Sequence, residues 1–220
     1  MAMTADGKIA PAHGGTASFA SSRDHDHLLE LRATADAVMS GARTVDSNPV
    51  NLGPGQAKYR RLRLKNGLSE YNLRVVVSGG ATLNPAAEIF RHRFGPIIIL
   101  VSRQAPRARL AALRKAGGII HECGDAEVDF KKALHWLHQK WGVRRLLCEG
   151  GAILNGALIQ ADLIDDLHLT ICPRLLGGRE APTICDGPGS ENLAQAARFT
   201  LISQRRVGDE IFLIYQRRIR

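Results

Sequence analysis

The sequence predicts an α/β fold: one mixed, mainly parallel sheet with helices on both faces, finished by an antiparallel hairpin at the C-terminus. Three observations predict it. Apolar runs alternate with amphipathic stretches through the middle of the chain, which implies crossover helices joining parallel strands. Ile97 to Ser102 is a continuous apolar run, the pattern of a strand buried on both faces. Near the end, two strand-like segments flank Gly208-Asp209, a hairpin signal.

Taken in order, an amphipathic helix starts near Ser22, a good N-cap residue, and carries Leu28, Leu29 and Leu31. Asp36 to Ser40, centred on Ala37-Val38-Met39, reads as a strand. Asn48 to Asn72 holds Gly53-Pro54-Gly55 and then Lys58, Arg60, Arg61, Arg63 and Lys65, with little apolar periodicity. It reads as a long structureless segment, functional or mobile. Leu73 to Ser78 is a strand that turns at Gly79-Gly80, and Pro85 to Arg93 is a short helix opened by proline. The buried strand Ile97 to Ser102 comes next. Pro106 to Ala116 is a helix with Leu110 and Leu113 on one face, and Gly118 to Cys123 a strand. Asp129 to Trp141 is the clearest helix, because Phe130, Ala133, Leu134, Leu137 and Trp141 fall on one stripe. Arg144 to Glu149 is a strand, Gly151 to Ala161 a helix and Asp166 to Cys172 a strand. Phe199 to Val207 and Glu210 to Gln216 form the hairpin. A length of 220 residues suits a single domain over 1–220.

Composition narrows the class of function. Apolar residues at 45% and charged residues at 23% are the balance of a globular protein. No apolar run approaches the roughly 20 residues that span a bilayer, so no membrane partner is expected. Met1-Ala2-Met3-Thr4-Ala5-Asp6 has no basic region followed by an apolar stretch, which leaves the cytoplasm as the default. Cys123, Cys148, Cys172 and Cys185 include no C-x-x-C pair. No metal site is expected, and the thilols near apolar runs read as small hydrophobes. The formal charge of +9 favours anionic ligands: phosphates, dinucleotides or nucleic acid. Single-strand binders add stacking aromatics to a basic groove, and aromatics are only 5% here, so nucleic acid is not expected as a partner. Arg205, Arg206, Arg217, Arg218 and Arg220 read as a charged sheet edge that blocks aggregation.

Several short motifs could carry chemistry. Leu146-Leu147-Cys148-Glu149-Gly150-Gly151-Ala152 ends an apolar strand in two glycines and opens a helix at once. That arrangement lets backbone approach a ligand and aims helix N–H groups at a phosphate. It is also the pattern of an ordinary tight turn. Glu149 must be paired or face a cleft, because burying a free carboxylate costs too much; a salt bridge to an arginine and a ligand contact weigh about equally. Asp6-Gly7-Lys8 reads as a surface turn. Thr44 and Ser47 either cap a short helix or donate to a ligand, with capping the cheaper explanation. Ser102-Arg103 follows a buried strand, where it is either a charged loop or the holder of a 2′-phosphate. His135 and His138 do not match the i, i+4 zincin pattern, and no G-x-S-x-G elbow is present.

In this order the motifs resemble the reductase family of riboflavin biosynthesis, whose fold is like that of dihydrofolate reductase. The matching residues are Asp6-Gly7-Lys8-Ile9-Ala10, Leu31-Arg32-Ala33, Asp36-Ala37-Val38, Gly41 with Thr44-Val45, Asn48-Pro49, Arg74-Val75-Val76-Val77, Glu149-Gly150-Gly151 and Leu163 to Thr170, followed by Pro173 with Leu175-Leu176-Gly177-Gly178. They cover nearly the whole chain. The resemblance implies NADPH-dependent reduction of 2,5-diamino-6-ribosylamino-4(3H)-pyrimidinone 5′-phosphate, a small phosphorylated heterocycle, by a homodimer. A dihydrofolate reductase-like enzyme acting on another pteridine-like or carbonyl compound is the alternative. By position, the resemblance assigns Ala2, Thr44, Ser47, Gly79, Gly150 and Gly151 to the cofactor, and Asn48, Ser102, Arg103 and Ala152 are further candidates for it. It assigns Arg32 and Glu149 to the substrate, with Ala17 and Leu52 as further candidates; Asp6 and Lys8, with Glu149, are the candidates for the chemistry. The deaminase often fused to such reductases needs H-x-E and P-C-x-x-C, and this sequence contains neither. The sequence departs from the family where substrate recognition is at stake: Phe19 stands where the family often has Trp, Ser47-Asn48-Pro49 replaces D-D-P, and an arginine expected soon afterwards is not aligned, leaving Lys58, Arg60 or Arg61 to meet the phosphate.

Overall fold

A computed structural model describes residues 1–12 and 20–218. In chain order the elements are β1 (Ala2–Thr4), α1 (Ser22–Arg32), β2 (Ala37–Gly41), α2 (Ala42–Ser47), α3 (Ala57–Lys65), β3 (Leu73–Val77), β4 (Ile97–Val101), α4 (Arg107–Lys115), β5 (Gly118–Glu122), α5 (Phe130–Trp141), β6 (Leu146–Cys148), α6 (Ala152–Gln160), β7 (Asp166–Cys172), β8 (Phe199–Val207) and β9 (Glu210–Arg217). The chain divides into two compact units, residues 26–149 and residues 1–25 with 150–220. The α/β class is the one the sequence predicts, but the strands form two sheets rather than one mixed sheet.

The unit 26–149 carries a five-stranded, wholly parallel sheet in the order β5-β4-β3-β2-β6. Its centre is β4, where Ile97, Ile98, Ile99, Leu100 and Val101 are all buried. Each such side chain contributes roughly 1.5–3 kcal/mol by leaving water. Leu110 and Leu113 of α4 pack into the same cluster as Ile99 and Val101, as their shared helical face requires. Helix α5 is bounded as its sequence asks. Asp129 accepts a hydrogen bond from the Lys132 N–H at 3.0 Å, Gly142 closes the end in the left-handed conformation, and Ala133 and Leu137 are fully buried.

Two local expectations in this unit need correction. The stretch 48–72 is not structureless, because it holds α3. Tyr59 and Leu62 join Leu29 and Ala33 in one apolar cluster, and Arg63 lies on the buried face beside them. The basic residues hide this helix from a reading of apolar periodicity. The helix expected at Pro85 to Arg93 shrinks to a 3-10 turn at Glu88–Arg91. The Asn84 side chain accepts the Ala86 N–H at 2.9 Å and its carbonyl accepts the Ala87 N–H at 2.9 Å, which fixes a turn in place of the first helical residues.

The other unit is built on a four-stranded sheet in the order β1-β7-β9-β8, with β1 parallel to β7 and the rest antiparallel. The hairpin forms around Gly208, and β8 is an edge strand on which Arg205 and Arg206 are exposed. Arg220 of the basic cluster lies outside the described residues. The cap of α1 is Ser21 rather than Ser22: the Ser21 hydroxyl accepts the Asp24 N–H at 3.3 Å. Ser21 is itself held by buried Glu210, whose carboxylate accepts its N–H at 2.9 Å and its hydroxyl at 2.5 Å. The Cys172 thiol also donates to Glu210, at 3.6 Å. Burial and that carboxylate push the thiol up to about 12, so Cys172 stays a thiol.

Candidate active site

A parallel sheet brings the carboxyl ends of all its strands to one edge. In the unit 26–149 that edge gathers the residues after β2, β3, β4 and β6, and with them Thr44, Ser47 and Asn48, Gly79, Ser102 and Arg103, and Glu149. The strand order places β3, β4 and β5 on one side of β2 and β6 on the other. The order therefore reverses between β2 and β6, where open α/β sheets bind ligands. Glu149 stands at that point: its N–H donates to the Met39 carbonyl at 2.8 Å, extending the pairing of β6 with β2 by one residue.

Arg32, the last residue of α1, meets Glu149 there. Its Nε donates to Oε1 at 2.5 Å and its Nη2 to Oε2 at 2.6 Å, while Nη1 donates to the Gly53 carbonyl at 2.6 Å. The two side chains are only 10% and 12% exposed. So dry a pair must be well fitted to offset the cost of desolvating both charges, and a bidentate guanidinium–carboxylate contact is that fit. A guanidinium has five N–H donors and a carboxylate about four acceptor positions. Three donors and two acceptor positions are used, so each group keeps capacity for a ligand. The Gly53 carbonyl is placed by its neighbour. Leu52 is buried with a φ of 54°, and its carbonyl accepts Asn72 Nδ2 at 2.8 Å.

The expected cofactor residues of this unit sort differently. Thr44 and Ser47 do not start α2, whose N-cap is Gly41; Thr44 lies inside the helix and Ser47 is its last residue, so the capping reading fails for both. Asn48 closes it instead, donating through Nδ2 to the Thr44 carbonyl at 3.0 Å. Among the described residues neither the Thr44 nor the Ser47 hydroxyl has a hydrogen-bond partner. Ser102 is 2% exposed, and its hydroxyl and N–H both donate to the Gly79 carbonyl, at 3.1 and 2.9 Å. That side chain ties β3 to β4. Arg103 is exposed and pairs with Asp125 at 2.8 Å. It borders a cavity of about 250 Å³ that His121, Lys132 and Trp136 also line, with the His121 and Trp136 rings stacked 3.7 Å apart. Burial lowers the His121 pKa, so that ring is neutral near pH 7.

In the unit 1–25 with 150–220, Ala2 lies in β1 beside Thr170 of β7. Asp6 is a brace. It accepts from the Thr4 hydroxyl at 2.5 Å, the Gly177 N–H at 2.6 Å and the Leu176 N–H at 3.1 Å. These three donors hold its carboxyl down at about 2. Lys8 Nζ donates to the Ala181 carbonyl at 2.8 Å, leaving two of its three N–H groups. Gly150 has a φ of 85°, and a Cβ there would press on the Met1 side chain and Asn155 Nδ2. Gly151 is the N-cap of α6 with no side-chain cap, and buried Ala152 follows.

The structure therefore brings Arg32, Gly53 and Glu149 into one hydrogen-bonded group, with Leu52 next to Gly53 in the chain and held by Asn72. Ala17 lies outside the described residues. Sequence reading missed the two buried polar side chains that support this group, Arg63 and Asn72, each no more than 1% exposed. The available signal was the four-residue spacing that puts Tyr59 and Arg63 on one helical face.

Residues 1–213 match the RibD C-terminal domain family. The chain belongs to that family. Among its relatives, 2,5-diamino-6-ribosylamino-4(3H)-pyrimidinone 5′-phosphate reductase of Methanothermobacter thermautotrophicus is 33% identical over 214 residues, covering 97% of this chain and 94% of the relative. The protein of the same name from Archaeoglobus fulgidus is 33% identical over 187 residues, covering 85% and 84%. Among solved structures, RibD of Acinetobacter baumannii superposes with a TM-score of 0.79 at 23% identity, over 100% of this chain. The chain spans 57% of the length of that neighbour. Rib7 of Saccharomyces cerevisiae superposes with a TM-score of 0.69 at 16% identity, over 99% of this chain and 87% of its own. Among the described residues of this family member, no helix is long and apolar enough to cross a membrane.

Proposed function

We propose that this chain reduces 2,5-diamino-6-ribosylamino-4(3H)-pyrimidinone 5′-phosphate to its ribitylamino form with NADPH, acting as a homodimer in the cytoplasm. The observation that carries the reading is the buried Arg32–Glu149 pair at the point where the strand order reverses. A carboxylate with free acceptor positions suits the N–H groups of a diaminopyrimidine, and a guanidinium with two free donors suits a phosphate. The names of the archaeal relatives support the same substrate.

A reductase of this family needs a nicotinamide cofactor, and the residues present fit one. Helix α6 opens without a side-chain cap behind two glycines, so its first N–H groups and the positive end of its dipole suit a diphosphate. Arg103, exposed beside its cavity, suits the further phosphate that separates NADPH from NADH. Ala2, Thr44, Ser47, Asn48, Gly79, Gly150, Gly151 and Ala152 complete the proposed cofactor set, with Ser102 holding Gly79 in place. When bound, the nicotinamide supplies the hydride that reduces C1′ of the ring-opened sugar.

The chain's own groups do the rest. Glu149 accepts from the heterocycle, Arg32 holds the phosphate, and the Leu52–Gly53 turn anchors Arg32. Asp6 is ionised at neutral pH and braces the loop at Leu176-Gly177, so it is no proton donor. Lys8, with two free N–H groups, is the proposed donor of the proton that accompanies reduction.

The test is direct. The protein is mixed with NADPH and the ribosylamino-pyrimidinone phosphate, and the absorbance of the reduced nicotinamide is followed. Oxidation is expected with this substrate and not with dihydrofolate; the opposite result would replace this reading by that of a reductase for another heterocycle.

A further inference from the structure

Arg63 is the feature that the function above does not use. It is 1% exposed, and among the described residues its guanidinium hydrogen-bonds to no carboxylate. All its partners are backbone carbonyls: Nη1 donates to Arg32 and Ala35, each at 2.6 Å, and Nε donates to Ser69 at 2.9 Å. Burying a cation with no ion-pair partner is costly; burial pushes the Arg63 pKa down, and the Asp36 carboxylate opposes that only through space. Two of these carbonyls, those of Arg32 and Ala35, lie at and just beyond the end of α1, where the last C=O groups lack helical partners and a positive charge is favoured. The first of them is the carbonyl of Arg32 itself.

We infer that Arg63 is a positioning residue for substrate binding: by clamping the main chain at Arg32, it fixes the point from which the Arg32 guanidinium reaches Glu149 and the Gly53 carbonyl. The inference rests on the substrate role proposed for Arg32. Arg32 is the last helical residue, the place where a helix frays, yet its side chain makes three contacts of 2.5–2.6 Å. Such contacts need a fixed origin. Arg63 supplies it from α3, a different helix, and Asn66 of the same segment adds a bond from Nδ2 to the Ala33 carbonyl at 3.2 Å. A helix cap that merely stabilised α1 would be needed equally with or without the Arg32 side chain. A positioning residue acts only through it.

A double-mutant cycle on the full chain separates the two. Arg63→Lys keeps the charge but has no planar fork to reach Arg32, Ala35 and Ser69 together; Arg63→Gln is the uncharged second variant. In the wild-type background the KM for the pyrimidinone phosphate is expected to rise by about tenfold or more, the scale of a sub-ångström misplacement. NADPH affinity, read by nucleotide fluorescence, should be unchanged. In the Arg32→Ala background the same change at Arg63 should raise KM by less than about twofold, because the coupled residue is already gone. Equal effects in both backgrounds, or a lowered Tm with unchanged KM, would overturn the inference. Wild-type KM in Arg32→Ala itself would instead remove the substrate role of Arg32, and the inference with it.

Discussion

Asp6 shows how one residue type serves two readings. Asp6-Gly7-Lys8 reads from its residues as a surface turn, and only beside the family resemblance does Asp6 become a candidate for proton handling. In the folded chain three donors converge on it and hold its carboxyl at about 2, against an ordinary value of 3.8. A group depressed in this way contributes stability above its unfolded value and loses it as pH falls through the folded one. The stability gap between the wild type and Asp6→Asn is therefore expected to be constant at neutral pH and to close as pH falls from about 4 to about 2. Urea unfolding at a series of pH values measures it. A gap that stays constant down to pH 2 would mean that Asp6 carries no such load. Arg32 and Glu149 make the opposite point. The sequence left Glu149 poised between an ion pair and a ligand contact; the structure supplies the ion pair and still leaves acceptor positions for a ligand.

At the scale of elements, legibility followed periodicity. Helix α5 and strand β4 were readable because their apolar residues keep the period of the element and nothing competes. Helix α3 was not readable, since Lys58, Arg60, Arg61, Arg63 and Lys65 mask a narrow face, and one of those cations is itself buried. Helix α6 carries a further test. Gly156 sits in its interior, where replacing glycine by alanine usually adds up to about 1 kcal/mol of helix stability. Here a Cβ would overlap the backbone carbonyl of Asp186, on a segment already joined to the helix by the Asp186 N–H to Ala152 carbonyl bond at 3.1 Å. Gly156→Ala is therefore expected to lower Tm rather than raise it. A raised Tm would show that the loop yields freely.

For the whole molecule the accessible test is linkage. A ligand that binds only the folded chain stabilises it by RT ln(1 + [L]/Kd), about 2.7 kcal/mol at a hundredfold excess over Kd. NADPH is expected to raise Tm, and at equal concentration NADH to raise it less, because the exposed Arg103 has no added phosphate to meet in NADH. Equal shifts would remove the preference for NADPH. Since the chain is built as two compact units, unfolding need not be two-state, and the comparison rests on paired Tm values rather than on a fitted free energy.

The sequence by itself determined the alternation of strands and helices, the C-terminal hairpin, the family resemblance and the identity of Arg32 and Glu149 as residues to watch. Those are local properties: a period, a turn dipeptide, a charge at the end of an apolar run. Only the tertiary structure decided that the strands divide into two sheets, that Arg32 and Glu149 face each other, that Asp6 braces a loop 170 residues away, and that Arg63 is buried. Each of these depends on which distant backbone groups come to lie beside a side chain. No window of sequence carries that information, because hydrogen-bond partners and desolvation are set by the packed chain as a whole.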